Sequence, residues 1–390
     1  MRSQPRIVIV GGSLVGPTTE LFLRRKGFRD VTVLEANPRP YSQSGGVMGA
    51  RAQTLDNLAE VGIPTPTITA MKDSDVYAFD ISGGESDLRG VSTFPGTVTS
   101  WDALHAQLSQ RVDIRRGHAV ERLVDDAGRT YLVCACGNDH DADLIIWADG
   151  RKSTGRALLA PERPLTYNGY VVWRGLVDTP TPAPKGFQRY YDIPGGRLFS
   201  VTAPVEPVGR SYFEFSHNLH GHQWQELTGK RPEEHAYMLP GFVKRHPQVH
   251  DTIRRNAVGL PHRFEEIIDH AEISGIPVND VDFPKQVVYH HTSGATSVLV
   301  GDAAIPVRLQ VGAGLNQGIQ QAYDMVDVLT AGRAALDTWE EAHMCELARW
   351  VELGRSRAHR NNLGWYLPVR RGQTVAPDVD QWTKPKWVIA

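Results

Sequence analysis

Residues 6–35 read RIVIVGGSLVGPTTELFLRRKGFRDVTVLE. Ile7, Val8, Ile9 and Val10 form a short apolar run, the signature of a buried parallel strand. Gly11, Gly12, Ser13 and Gly16 follow as small turn residues. The spacing predicts a helix over 14–26 that buries Leu21, Phe22 and Leu23. Pro17 is tolerated in its first turn, where backbone N–H groups have no intrahelical partner. Gly27 ends the helix, residues 31–34 form a second strand, and Glu35 closes it. A strand, tight turn and helix in this order let a pyrophosphate approach the backbone, where the helix N-terminus holds its charge. A carboxylate about twenty residues on accepts hydrogen bonds from a ribose diol, and Glu35 fits. Glu35 also argues against a 2′-phosphate at this site, because two anions would repel. The pattern is G-x-S-x-x-G, with Ser13 where a second glycine is usual; serine is small enough to keep the close approach.

The rest of the composition narrows the class. At 390 residues the chain exceeds one minimal core and suggests two or more domains. A formal net charge of −2 gives no basic field for nucleic acid. No apolar run approaches membrane-span length, and no signal-peptide core precedes the first strand. Cys134, Cys136 and Cys345 show no zinc spacing and cannot all pair, so reduced thiols in a cytoplasmic protein are expected, with no metal. Cys134 and Cys136 are read as alternating along one strand.

Along the chain, residues 45–51 read as a loop into a helix over 52–60, stopped by Gly62 and Pro64. Arg51 at that helix's mouth is a candidate flavin or phosphate contact. Strands are expected at 75–81, 112–123 and 131–135, with a helix at 101–108. Residues 143–148 form another apolar strand ending in Asp149-Gly150, with Ser153 and Arg156 at helix-start spacing. An aspartate at the C-terminal end of a central strand lies where α/β sheets bind ligands. From about Tyr167, short strands at 170–177, 188–192, 197–202 and 211–217, divided by Pro and Gly, predict an antiparallel sheet lined by aromatic residues. Residues 217–284 read as mainly helical. A strand at 296–301 then meets Asp302, Gly312-Ala313-Gly314 and a second helix from Leu315, a second helix start aimed at a sheet end. A long amphipathic helix is expected over 339–360, and the Pro-rich tail from Leu367 is expected to pack on the surface or a partner.

Three pieces, the 11–35 unit, Asp149-Gly150 with Ser153 and Arg156, and Gly301-Asp302 with 312–316, resemble the FAD-dependent aromatic hydroxylases of the para-hydroxybenzoate hydroxylase fold over nearly the whole chain. The stretch YNGYVVWRGL at 167–176, with Gly11-Gly12-Ser13, looks most like the 2,6-dihydroxypyridine 3-hydroxylase branch. The resemblance implies an α/β chain. Its Rossmann-like FAD-binding domain spans 1–72, 100–165 and 286–338. An inserted antiparallel-sheet substrate domain spans 73–99 and 166–285, and a C-terminal helix and tail occupy 339–390. It implies that Gly12, Ser13, Leu14 and Val15 meet the FAD pyrophosphate, that Glu35 and Ala36 meet the adenosine ribose, and that Val120 lies against adenine. Asp302 then serves the ribityl–pyrophosphate region, and Gly314, Leu315 and Asn316 the flavin pyrimidine edge. Asp149 and Arg156 match the Asp-Gly motif. Departures are Trp147, Trp101, Ile305, Leu309 and Gln321, which replace residues common in the family.

The implied reaction is hydroxylation of an electron-rich, hydroxylated aromatic or heteroaromatic small molecule, using FAD, NADH or NADPH, and O2, through a C4a-hydroperoxyflavin. Such rings attack better when deprotonated, so a base or acceptor beside the ring should help. The residues assign no base; His217, Tyr191, Tyr212 and Arg189 are candidate substrate contacts because they lie on second-domain strands. Competing readings are an epoxidase or Baeyer–Villiger oxygenase acting on a non-aromatic natural product, and a non-catalytic flavin-binding sensor. No W-x-W-x-I-P stretch of a flavin halogenase occurs. A homodimer is compatible with the sequence.

Overall fold

The computed structural model describes residues 4–40, 46–126, 128–234 and 237–364. The expected surface tail from Leu367 lies outside them. Two sheets organise the chain. The first has six strands in the order Val288–His290, Thr296–Leu299, Leu144–Trp147, Ile7–Val10, Val31–Glu35 and Ile114–Arg116. Its pairings are parallel except at the Val288–His290 edge. Strands covered on both faces read as continuous apolar runs, and Ile7, Val8, Ile9 and Val10 are all buried. The helices Val15–Arg25 and Gly314–Leu329 pack together on this sheet and bury Phe22, Leu23, Ile319 and Met325 in one core.

The second sheet has seven strands, ordered Glu272–Asp280, Thr166–Val177, Arg210–Asn218, Arg197–Val205, Phe187–Asp192, Asp75–Ser82 and Glu85–Thr93. All neighbours are antiparallel except Phe187–Asp192 with Asp75–Ser82. Side chains alternate between faces along each strand. One face carries Trp173, Tyr190, Phe199, Phe213 and Phe215, packed on helices between Gly221 and His270. Phe199 stacks on Phe264 with centroids 4.1 Å apart. The opposite face carries Tyr170, Arg174, Tyr212 and Glu214 and looks toward the first sheet: the Tyr170 hydroxyl donates to Gln310 Oε1 at 3.0 Å, just before the Gly314 helix. The helix Ala335–Arg360 runs along this junction.

Four local expectations are corrected. Glu272–Asp280 is a strand, not part of a helical stretch; Ile273, Ile276 and Val278 are β-branched and bury against Thr166–Val177. Val47–Arg51 is a strand paired with Gly96–Ser100, not a loop. Residues 112–123 are not one strand, because Gly117 at φ +77° breaks them into Ile114–Arg116 of the first sheet and Val120–Asp126 of a separate three-stranded sheet with Arg129–Cys134 and Asp139–Asp141. Cys134 closes a strand, but Cys136 lies in the following turn.

Candidate functional site

The two helix starts foreseen in the sequence meet. A Cβ placed on Gly301 would stand 3.6 Å from both Val15 Cγ2 and the Gly318 Cα. A Cβ on Gly318 would clash with Val15 Cγ2 at 2.6 Å. Glycine at 318 is what lets the second helix pass so close to Val15, while a Cβ at 301 would make only ordinary contact. Neither helix has a side-chain cap or an acidic first turn. Their leading N–H groups are therefore left without a side-chain acceptor from a capping residue.

The first turn is shaped around backbone contact. Gly11 has φ +115°, and a Cβ there would lie 2.3 Å from the Ala148 carbonyl oxygen. The Gly12 N–H donates to Glu35 Oε2 at 2.9 Å, and the Asn37 N–H donates to Glu35 Oε1 at 2.8 Å. Glu35 is buried, with exposed Ala36 beside it. Ser13 Oγ accepts from Trp101 Nε1 at 3.0 Å, so the tryptophan found in place of arginine buttresses the unusual serine. Leu14 is buried at the helix cap. Val120 opens the strand Val120–Asp126 and is also buried.

The Asp-Gly motif is a brace. Asp149 accepts from the Ser153 hydroxyl at 2.5 Å and from the Thr154 and Gly155 N–H groups at 2.7 and 3.1 Å. Burial pushes its carboxyl above the usual range, against these three bonds. Arg156 donates to the Ala303 carbonyl at 3.0 Å and the Asp302 carbonyl at 3.2 Å. Asp302 itself accepts from Arg151 Nε at 3.1 Å. A Cβ on Gly314 would lie 3.7 Å from Asp302 Oδ1, which places that carboxylate at the start of the second helix. Gln321 Oε1 accepts from the Gly301 N–H at 2.5 Å, so the amide that replaces a common aspartate holds the same loop. Trp147 fills the space beneath Gly155.

Asn316 uses its side chain internally. Oδ1 accepts from the Arg51 N–H and the Thr54 hydroxyl, both at 2.8 Å, and Nδ2 donates to the Gly49 carbonyl at 2.8 Å. This ties Val47–Arg51 to the buried Leu315 turn. The Arg51 guanidinium lies 4.9 Å over the Trp350 ring.

Opposite the helix starts is the polar face of the second sheet. Tyr212 Oη donates to Glu214 Oε1 at 2.9 Å and is also bonded to Arg174. Burial, then the Glu214 charge, raises the Tyr212 hydroxyl well above its ordinary value, so it stays protonated. Arg189 and Tyr191 lie together on Phe187–Asp192, two strands across the sheet, beside Arg357 of the last helix. Burial, then the charge of Arg189, pulls Arg357 down to about 10, and Arg360 and Arg51 act in the same direction.

His217 is a correction. It faces the aromatic core, 1% exposed, where Nε2 accepts from Trp173 Nε1 at 2.8 Å and Nδ1 faces the Asn218 carbonyl at 2.8 Å. The aromatic lining is corrected for the same reason: Phe213, Phe215 and Tyr190 point away from the first sheet, because the helices behind them need an apolar cover. Sequence reasoning missed Arg174, Glu214 and Arg151. A charged residue interrupting the buried run at 166–177 was the available signal.

FAD fits this arrangement. The uncapped start of the first helix suits a pyrophosphate, that of the second suits the edge of a flavin ring, the Gly11-Gly12 turn admits nothing larger than hydrogen, and Glu35 stands at the second strand's end for a ribose. A family model described as FAD binding domain matches residues 5–344. The chain is 26% identical over 358 residues to 2,6-dihydroxypyridine 3-monooxygenase of Paenarthrobacter nicotinovorans, covering 86% of each. It is 28% identical over 386 residues to salicylate hydroxylase of Pseudomonas putida, covering 91% of this chain and 83% of that protein. The structure of 2,6-dihydroxypyridine-3-hydroxylase from Arthrobacter nicotinovorans superposes with a TM-score of 0.78 at 21% identity, over 96% of this chain and 100% of that one.

Proposed function

This chain belongs to the FAD binding domain family, and from that premise we propose that it hydroxylates an electron-rich, hydroxylated aromatic or heteroaromatic small molecule held against Arg174, Tyr212 and Glu214. FAD, when bound, supplies the redox chemistry, accepting reducing equivalents from NADH or NADPH and activating O2 for transfer to the ring. The named relatives act on a dihydroxypyridine and on salicylate.

The observation that carries the reading is the Arg174–Tyr212–Glu214 chain, on the same sheet face as Tyr170, whose hydroxyl bonds Gln310 ahead of the Gly314 helix. A ring hydroxyl that donates to Tyr212 Oη can pass its proton on to Glu214 Oε1, while Arg174 balances the charge left on the ring. A deprotonated ring is the stronger nucleophile. Glu214 and Tyr212 are thus the candidate proton acceptor and relay. Arg51, Arg189 and Arg357 set a positive field beside Tyr191 that favours an anionic substituent on the substrate. Ser13, Leu14 and Val15 hold the pyrophosphate, Glu35 the ribose, and the Gly314–Asn316 backbone the flavin ring edge, where charge on the reduced ring is stabilised.

No described helix is long and apolar enough to cross a membrane. Cysteines without a disulfide and the proposed nicotinamide use fit a cytoplasmic setting, and a homodimer is testable by light scattering.

The deciding experiment is a screen of hydroxypyridines and hydroxybenzoates with FAD-loaded protein. It follows NAD(P)H oxidation together with the mass of the product. A product heavier by one oxygen with its aromatic ring intact supports hydroxylation. An epoxide or a ring-expanded lactone points to the oxygenase alternatives. Bound flavin with no turnover across the panel favours a sensor.

A further inference from the structure

Away from the helix starts, two histidines and two cysteines from four separate positions lie near one another. His118 follows the strand Ile114–Arg116, Cys134 ends Arg129–Cys134, Cys136 lies in the turn after it, and His140 is on Asp139–Asp141. His118 Nδ1 lies 3.1 Å from His140 Nε2 and 3.8 Å from Cys136 Sγ. The ligand atoms of His118, Cys134 and Cys136 all lie within 4.8 Å of one another. A tetrahedral zinc site with bonds of ~2.0–2.3 Å sets nitrogens about 3.3 Å apart, nitrogen and sulfur about 3.6 Å, and sulfurs about 3.8 Å. The His118–His140 and His118–Cys136 separations are already close to these values, and Cys134 lies within 4.8 Å of both His118 and Cys136.

We propose that His118, Cys134 and Cys136 form a binding site for a zinc-type divalent metal ion, with His140, beside His118, able to turn in as a fourth ligand. Two thiolates neutralise the ion, the His118 imidazole joins them, and a rotation of the His140 ring would close a four-coordinate set of the structural kind. The surrounding backbone is arranged for it. The Cys134 N–H donates to the Asn138 carbonyl and the Gly137 N–H to the Cys134 carbonyl, both at 2.9 Å, so the turn folds Cys136 back beside Cys134. Gly137 supplies the left-handed conformation at φ +84°. Asn138 Nδ2 donates to Cys136 Sγ at 3.5 Å, an outer contact of the sort that steadies a metal thiolate. Spacing alone hid the set, because a hairpin rather than a short C-x2-C motif assembles it.

The location gives the metal a task. The His118 N–H donates to the Glu35 carbonyl at 2.9 Å, and the Ala135 N–H donates to the Ala119 carbonyl at 2.8 Å. An ion here would pin the 129–141 hairpin to the segment that carries Glu35 and Val120. It would brace that corner of the fold and take no part in the redox chemistry.

The test uses the full chain, stripped with a chelator under reducing conditions and titrated with Zn2+ against a chromophoric competitor, then with Co2+. The expected result is one equivalent bound, thiolate-to-cobalt charge-transfer bands, and a Tm that rises with metal. Cys136→Ser and His140→Gln should each weaken binding about tenfold or more, while Cys345→Ser binds as the parent does. Cys136 is exposed, so Cys136→Ser tests ligation without opening the core. Binding unchanged in both ligand variants, no retained equivalent of either ion, or a Cys134–Cys136 disulfide in protein isolated without oxidant would each overturn the site. Retained flavin with lost metal in Cys136→Ser supports it and separates it from the cofactor assignment.

Discussion

Gly12 and Glu35 are in direct contact: the amide of one donates to the carboxylate of the other at 2.9 Å, and a Cβ on Gly12 would stand 2.8 Å from the Glu35 Cβ and 2.7 Å from Ile114 Cγ2. The turn and the acid that follows it by 23 residues are therefore one unit. Gly12→Asp adds a clash and a second carboxylate at that contact, and sets it against the pyrophosphate. It should purify folded and colourless. Gly12→Ala, which adds only the clash, should lower FAD affinity by at least about tenfold, or about 1.4 kcal/mol. Flavin absorbance of the purified variants and fluorescence titration check this; a yellow Gly12→Asp protein would contradict it.

Asp302 and Arg151 form an ion pair at 3.1 Å, with the arginine side chain 12% and the aspartate 27% exposed. Asp302→Asn keeps the shape and removes the charge. It should weaken FAD binding and also lower Tm, because the arginine stays largely buried after losing its counter-charge. Arg151→Gln should lower Tm with a smaller effect on FAD. Equal FAD affinity in Asp302→Asn and parent would exclude the carboxylate from the cofactor site.

Tyr212→Phe keeps the ring that packs beside Leu176 and Val205 but removes the hydroxyl that links Arg174 and Glu214. Flavin reduction by NAD(P)H should survive. Product formed per NAD(P)H consumed should fall, by about 10²-fold if the hydroxyl acts in proton transfer. Glu214→Gln should do likewise and shift the pH profile of product formation. Full coupling in both variants would remove the relay.

The first domain was legible because its chemistry is local. A buried parallel strand is a continuous apolar run, and the small residues of the phosphate turn lie within six positions of one another, Gly11 to Gly16. The second domain was legible as a sheet but not in its facing. Thr166–Val177 is buried on both sides, so alternation could not say that Trp173 looks to the helices and Arg174 to the opposite face. Glu272–Asp280 was hidden because Gly275 and Pro277 interrupt a short run whose partner lies about a hundred residues earlier. His217 was misassigned for the same reason: one step along the strand exchanges the cavity face for the core.

His217 makes a pH prediction. Burial lowers its imidazole from 6.5 to about 4. Between those values the unfolded chain holds a proton that the native chain does not, so stability rises with pH across the window. The neutral ring's contribution is complete above about 6.5 and lost as pH falls toward 4, on the order of 3 kcal/mol in all. His343, also lowered to about 4 by burial, adds in the same sense. His217→Gln keeps an acceptor for Trp173 and removes the titration. Its urea midpoint should vary less between pH 4 and 6.5 than the parent's, with KM unchanged at neutral pH. A raised KM would return His217 to the substrate site.

Asp280 joins three parts of the chain in the interior. Its carboxylate accepts from Arg308 at 2.8 and 3.2 Å and lies 3.1 Å from Arg355 Nε, with all three side chains at most 5% exposed. Asp280 ends the edge strand of the second sheet, Arg308 precedes the Gly314 helix, and Arg355 belongs to the last helix. Both arginines help hold the carboxyl below its usual range, against its burial. Asp280→Ala leaves two guanidinium groups without that anion and should cost about 3–5 kcal/mol, seen as a lower urea midpoint. Replacing all three residues by apolar ones of similar volume should recover most of that loss, since paired buried charges seldom outperform well-packed hydrocarbon. If the triple variant regains stability yet couples NAD(P)H oxidation to product poorly, the triad serves to set the second sheet against the Gly314 helix. If coupling returns with stability, its role is confined to holding the fold.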